Sequence, residues 1–534
     1  MKVLIENYGP VKAIEIDFNK LMIFVGRNNS GKSYISLLID IINKSFLELR
    51  EQLVDLTERP HFPFIYDPEE AEYFRKIFIR DIGRYPIKAF NYETIYKKIA
   101  EETIDKYLNT IEGKMSLKYP YRSSVLIPEQ IIKYSYEYYL NFISERLRTI
   151  FIRELTKKFS SKISDLINFT AENSKIIISC KNVEVSLNLR KKEDDVLVSF
   201  QLLRIQKLLS KIKQPLKNID YELERYFSIK IKQKKKIKNE ILYITSNTVF
   251  QVIFEEVIGF IRKNFLKTIY IPSTRSGLIQ AYETISLTYI QLAPEIPLTH
   301  IDFPTLSGIS TDFISELYKS RRRTLSYREN DKKFLKQMEK IVDFIETNIL
   351  FGKIEVKKEK EKVGYSLTYN IKGHEIPLYR ASSMVSELAS LIIFLKNLVS
   401  SHNLLIFEEP ESHLHPDSQM KIAILISMLI KNNVNFIITT HSDFFLGQIN
   451  NFIKISKLSS REINRIYGEN LKISKENVSL NLFIRNDELN ETIVKQIELD
   501  DYGITKDIFY KITNELYQKS SSINELINQK ISNE

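Results

Sequence analysis

The chain has 534 residues, too many for one hydrophobic core, so two or more domains are expected. With 43% hydrophobic and 27% charged residues it carries enough apolar matter to fold, which excludes wholesale disorder. Its net charge of +11, from 78 Lys and Arg against 67 Asp and Glu, is a modest excess at this length and leaves nucleic acid open as a partner without requiring one.

One cysteine, Cys180, excludes a disulfide framework and every multi-cysteine zinc or iron–sulfur site, and it fits a reducing cytoplasm. The first twenty positions hold acidic residues and no long apolar core, so no signal peptide is expected. Toward the C-terminal half, the longest charge-free apolar stretch, Ile422–Ile430, is about half of the roughly 20 residues a membrane span needs. A cytoplasmic protein without a membrane partner is expected.

In chain order, residues 3–7 and 11–18 read as two short strands around Gly9-Pro10, with Ile14, Ile16 and Phe18 alternating with Glu15 and Asp17. Leu21–Val25 is apolar throughout, as a strand covered on both faces must be. It runs into Gly26-Arg27-Asn28-Asn29-Ser30-Gly31-Lys32-Ser33, and a helical run follows from Tyr34 to about Glu51. That string fits G-x-x-x-x-G-K-[ST] in the strand–loop–helix setting that a phosphate-binding loop needs. Gly26 and Gly31 allow a tight turn and close approach to phosphate. Backbone N–H groups at the helix start then supply positive potential. Lys32 is the expected partner of the β- and γ-phosphates of ATP, and the Ser33 hydroxyl the expected ligand of Mg2+.

Residues 45–255 carry no further motif. Glu129–Leu166 reads as helical, Ile176–Ser179, Val183–Leu189 and Val196–Phe200 as short strands, and helices return up to Lys267. Heptads are not sustained, so a compact lid or docking domain is expected rather than long coiled-coil arms. Lys230, Lys232, Lys234, Lys235, Lys236 and Lys238, and the consecutive Arg321, Arg322 and Arg323, read as a solvated face or as phosphate-backbone contacts. Two strands around 353–370 read as a small hairpin. Ala381–Glu387 then opens a helix through about Val399, with Ser382 and Ser383 at its start.

Leu404–Phe407 is a buried strand that delivers Glu408 and Glu409 to its carboxyl end, where α/β sheets place ligands. Glu408 is expected to hold Mg2+ and Glu409 to orient the attacking water. Val434–Thr440 is a second such strand, ending at His441, which is expected to sense the γ-phosphate. Without further context, Glu411, His413, His415 and Asp417 read either as a metal cluster or as a contact loop.

Nearly four hundred residues separate the P-loop from the carboxylate strand, and the next strand ends in His rather than relying on an arginine. This is unlike AAA+ rings, whose motor is contiguous. The ordered set ENYGPVKAIEIDFNKLMIFVGRNNSGKS, IYIPSTRSGL at 269–278, EEPESHLHP at 408–416 and TTHSD at 439–443 resembles the OLD-like family of ABC ATPases. That family is also described as AAA-type core or RecF-like and occurs in prokaryotic defence systems. The likeness covers roughly residues 1–45 and 265–450. It implies an α/β fold: a P-loop NTPase of ABC type with a mixed-sheet head, split by a mostly helical insertion domain. The implied organisation is a first head part at 1–45, an insertion at 46–264, a second head part at 265–450 and a C-terminal extension at 451–534.

The resemblance also implies that Arg275 follows a strand facing the nucleotide side, and that His413 and His415 belong to a dimer-contact loop. ABC heads further need a signature segment that meets the other subunit's γ-phosphate. Ser382 and Ser383 are the candidates, with Met384 where the family pattern has Gly. A homodimer or higher homo-oligomer is therefore implied. The tail after Asp443 is shorter than a Toprim nuclease domain normally takes, and Asp500-Asp501 has no matching first-strand glutamate. A separate effector protein, a nuclease or toxin, is the implied partner. The leading expectation is an ATP-driven switch in antiviral or anti-plasmid defence. Its rivals are a DNA repair or maintenance ATPase, a transporter motor, and a nucleotide-locked scaffold without turnover.

Overall fold

In the computed structural model, the described residues are 1–57, 129–203, 234–280, 307–322, 332–358, 365–467, 471–500, 503–504 and 518–523. Lys230, Lys232, Arg323 and Asp501, singled out above, lie outside them, as do the side chains of Lys234–Lys238, Arg321 and Arg322. The chain divides into two compact units: Met1–Gly9 with Leu38–Lys267, and Pro10–Leu37 with Thr268–Glu534.

The first unit contains β1 (Lys2–Tyr8), the helix α1 (Lys32–Thr57) from Leu38 onward, α2 (Glu129–Phe159), β4 (Asn173–Cys180), β5 (Val183–Arg190), β6 (Asp195–Leu202) and α3 (Lys234–Asn264). Its strands run antiparallel in the order β6-β5-β4-β1. Strict alternation sets β5: Val183, Val185, Leu187 and Leu189 are buried and the residues between them are not. Phe46 of α1 stacks on Phe265 with ring centroids 4.1 Å apart. Beneath α1, Asp40 and Lys158 form a fully buried ion pair at 2.9 Å. The three strands expected between 176 and 200 are present, longer than expected by four, one and three residues in turn. The helix expected to run to Leu166 stops at Phe159, and a separate short turn covers Ile163–Leu166.

The second unit is a mixed sheet ordered β2-β14-β13-β3-β12-β11-β7, flanked by helices. Its strands are β2 (Val11–Asp17), β3 (Leu21–Gly26), β7 (Thr268–Ile271), β11 (Leu404–Glu408), β12 (Asn435–Thr440), β13 (Val478–Asn486) and β14 (Glu491–Ile497). The helices are α4 (Gly308–Arg322), α5 (Lys332–Ile345), α6 (Ser383–Asn397), α7 (Pro416–Lys431), α8 (Asp443–Lys454) and α9 (Ser460–Tyr467). β7, β11, β12, β3 and β13 are all parallel to their neighbours in that stretch. Parallel strands covered on both faces read as unbroken apolar runs, and β3, β7 and β11 are buried along nearly their whole length.

A second, small sheet pairs β8 (Lys353–Lys358), β9 (Tyr365–Ile371) and β10 (His374–Pro377) in the order β10-β9-β8. The expected hairpin thus has a third strand, because Lys372-Gly373 forms a turn with both residues at positive φ, as a tight hairpin requires. Leu499–Asp500 pairs with Gly503–Ile504 in a two-residue ladder.

The tail is part of the sheet. β13 lies between β3 and β14, so residues far from the P-loop in sequence form its immediate neighbour. Leu480, opposite Ile23 in that ladder, is 1% exposed. Leu480→Ala should therefore destabilise this unit by about 2–5 kcal/mol, as for other buried leucines. The midpoint of urea unfolding measures this, and an unchanged midpoint would contradict the placement of β13.

Candidate functional site

Register brings the candidate residues to one edge of the parallel sheet. Thr440 pairs with Val25, Glu408 with Thr439, Phe407 with Ile271 and Phe483 with Gly26. The loop after β3, the two glutamates at the end of β11, His441 after β12 and the segment Pro272–Arg275 after β7 therefore emerge side by side. Carboxyl ends of parallel strands are where such sheets bind ligands.

The P-loop glycines are enforced from below as well as by the turn. A Cβ on Gly26 would lie 2.4 Å from the Phe483 carbonyl oxygen, so β13 excludes any side chain there. Gly31, at φ +90°, would bring a Cβ to 2.8 Å from Pro10 Cγ and Val11 Cγ2. Asn29 is also left-handed, at φ 60°, and its carbonyl accepts from an Arg485 guanidinium N–H at 2.8 Å. Phe483 and Arg485 are supports that sequence reasoning missed. The motif has no signal for them, since they lie about 450 residues further on.

Lys32 is 6% exposed and its Nζ donates to the carbonyls of Gly26 at 2.9 Å and Arg27 at 2.8 Å. Burial pushes its pKa down to about 8, against the opposing pull of Glu409, Glu411 and Glu408. The Ser30 hydroxyl is buried with no hydrogen-bond partner, while Ser33 is exposed. A loop with bare backbone at both glycines, a buried cation and an unsatisfied hydroxyl fits a polyphosphate.

The two glutamates differ in setting. Glu408 is 5% exposed; its Oε1 accepts from the Tyr270 hydroxyl at 2.8 Å and its Oε2 from the Ser273 N–H at 3.1 Å. Glu409 has 37% of its side chain exposed, accepts from Ser412 Oγ at 3.1 Å and faces His441 Nε2 at 3.9 Å. Its φ is 42°, an unusual backbone for a glutamate. Burial, then the nearby Lys32, pushes the His441 pKa down, which favours the neutral ring. Glu411 lies beneath them, accepting at Oε1 from the His441 N–H at 2.6 Å and Thr440 Oγ1 at 2.8 Å. Burial raises its pKa more than these bonds lower it.

The remaining candidates fall in other places. His413 faces Glu387 at 3.9 Å, His415 caps α7 by accepting from the Asp417 N–H, and Asp417 pairs with Lys421. Among the described residues no group of three or more His, Cys, Asp or Glu is gathered to hold a metal. Mg2+ in phosphate sites takes one or two protein ligands with water and phosphate, a set that Ser33 and Glu408 can supply. Ser382, the extended N-cap of α6, and Ser383 are exposed, and the Ser382 side chain makes no capping bond. Met384 packs against the hydrophobic core.

Because a bound phosphate keeps Lys32 protonated while the unliganded amine releases its proton near pH 8, polyphosphate affinity should be full below that pH. It falls by up to about tenfold per pH unit above it, with proton uptake on binding. Calorimetry in two buffers of different ionisation enthalpy, on either side of pH 8, measures this; equal proton uptake on both sides would contradict it.

The family described as "AAA ATPase domain" matches residues 1–446. No curated protein matches the chain. Among solved structures, the chain is similar to an Smc head bound to the C-winged helix domain of ScpA, at 10% identity and TM-score 0.38, covering 93% of this chain and 98% of that one. It is also similar to an Smc head with an extended coiled coil bound to the C-terminal domain of ScpA derived from Pyrococcus furiosus, at 12% and 0.34, covering 99% and 98%. A third likeness is the SMC head domain from Thermotoga maritima, at 9% and 0.31, covering 93% and 98%. At these scores the likenesses do not bear on what the chain does.

Proposed function

Because this chain belongs to the AAA ATPase domain family, we propose that it binds ATP with Mg2+ and hydrolyses it as an ABC-type switch. The observation that carries this reading is the convergence of the P-loop, Glu408, Glu409 and His441 at adjacent parallel strand ends. Gly26–Ser33 receives the phosphates through its backbone N–H groups and Lys32. Ser33 and Glu408 would hold Mg2+, which would supply charge neutralisation at the phosphates. Glu409, the more exposed glutamate, orients water and takes its proton. His441, neutral and beside Glu409, donates to the γ-phosphate. The water oxygen bonds to the γ-phosphorus as the bond from that phosphorus to the bridging oxygen breaks, the electron pair stays on that oxygen, and ADP and phosphate leave.

The outward hydroxyls of Ser382 and Ser383 at the start of α6 support the signature role, in which each subunit completes the site of the other. ATP then holds a homodimer closed and hydrolysis releases it. The domain reading follows: head parts at 1–45 and 265–450, an insertion at 46–264 and an extension at 451–534. Residues 478–497 of that extension serve the sheet. The resemblance of the ordered motifs to OLD-like ATPases supports control of a separate effector, a nuclease or toxin, in prokaryotic defence. No helix among the described residues is long and apolar enough to cross a membrane.

Lys32→Ala should weaken ATP binding by about 10- to 100-fold, the loss expected for a charge-assisted hydrogen bond to phosphate. Glu409→Gln should keep its affinity, lose about 10²- to 10⁴-fold in turnover, and persist as a dimer with ATP. Phosphate release, equilibrium binding and light scattering measure these. Turnover by Glu409→Gln at the wild-type rate would remove the assigned role. Hydrolysis stimulated by duplex DNA and falling steeply with salt would favour the DNA-maintenance reading instead.

A further inference from the structure

Arg275 is fully buried, and the acceptors around it are not typical of a structural ion pair. Its Nε donates to the Glu387 carbonyl at 3.3 Å and lies 2.6 Å from Glu387 Oε2, on a carboxylate that is itself 1% exposed. Its Nη1 donates to the carbonyls of Glu408 at 2.7 Å and Pro272 at 3.0 Å, and its Nη2 to that of Glu409 at 3.0 Å. The guanidinium lies 4.8 Å from the centroid of the Phe407 ring. One planar group therefore holds the main chain of both glutamates. It also joins them to α6, whose first residue Ser383 is four positions before Glu387.

Glu409 needs such a hold. At φ 42° it sits in a region that side chains with a Cβ adopt at a cost, so neighbours must fix it there. Its N–H donates to the Thr439 carbonyl at 2.9 Å, which secures one side of the peptide. Arg275 secures the other at the Glu409 carbonyl. The Glu387 carboxylate also faces His413 at 3.9 Å, in the loop that follows the glutamates.

We propose that Arg275, paired with Glu387, is a positioning residue: it clamps Glu409 in its left-handed backbone and ties that geometry to the helix start at Ser382–Ser383. This rests on the reading of Glu409 as the residue that orients water. Contact at Ser382–Ser383 shifts α6, Glu387 follows, and Arg275 carries the shift to the Glu408 and Glu409 carbonyls. The turnover step is thereby made conditional on what meets α6. A lysine cannot replace the arginine, because one ammonium cannot span a carboxylate and four carbonyls in the plane of a guanidinium fork.

The test uses Arg275→Lys, which keeps the buried charge, and the double variant Arg275→Met with Glu387→Met, which leaves no lone buried ion. In folded Arg275→Lys, kcat should fall by about 10- to 100-fold, as for a displaced catalytic group, with ATP affinity unchanged. Amide hydrogen exchange in residues 408–412 should rise by about tenfold or more while residues 26–34 keep their protection. The double variant should recover thermal stability without recovering kcat. A double variant that regains both, or exchange at 408–412 that stays at the wild-type rate, would overturn the proposal. Wild-type protein that binds ATP without turnover would sink the ATPase reading instead. A rise in exchange at 408–412 in Arg275→Lys would then still support the clamp, because that readout needs no nucleotide.

Discussion

Parallel pairing of β3 with β12, β12 with β11 and β11 with β7 is the constraint from which the candidate site follows. Each strand leaves the sheet in the same direction, so whatever its next residues are, they meet at one edge. Parallel strands cannot be joined by short turns. That requirement permits the long separations between Gly26, Arg275, Glu408 and His441 in the chain. It also puts both faces of the strands under helices, which is why β3 and β11 are apolar without alternation. Packing and chemistry have the same origin here: dry strands end abruptly in polar residues, and those ends are where charge is concentrated.

The charges at this edge depend on one another. Lys32 is buried enough to lose affinity for its proton, yet Glu408, Glu409 and Glu411 pull the other way, and desolvation wins. Arg275 is set deeper among the same carboxylates, and there too burial opposes the charge. A buried arginine that faces a carboxylate and donates to several carbonyls is well compensated; one missing partner would leave a costly orphan. Burial also makes Glu411 a poorer acid than usual and His441 a weaker base. Of the paired glutamates Glu408 is buried and Glu409 the more exposed.

Much of this could be read from the sequence. The strand ending at Val25, the P-loop, the strand ending in Glu408-Glu409 and the strand ending at His441 all appear at their expected positions, because apolar runs and turn residues are local signals. The strands β4, β5 and β6 of the first unit likewise appear close to their expected positions. What the sequence concealed was long-range pairing. Val478–Asn486 alternates weakly and carries no motif, yet β13 is the strand that backs Gly26 and supplies Arg485 to Asn29. The four-residue string Glu411, His413, His415, Asp417 offered two readings, and separate partners for the latter three reflect loop geometry that spacing does not encode. Met384 is a similar case: it stands where the family pattern has Gly, and its side chain packs against the core.

The most direct test of the central claim is amide hydrogen exchange with and without ATP and Mg2+. Simultaneous protection is expected of 26–34, 408–412 and 439–443, three segments spread across about four hundred residues but adjacent at the sheet edge. Protection of none of them, or of 26–34 with the other two unchanged, would contradict a shared nucleotide site.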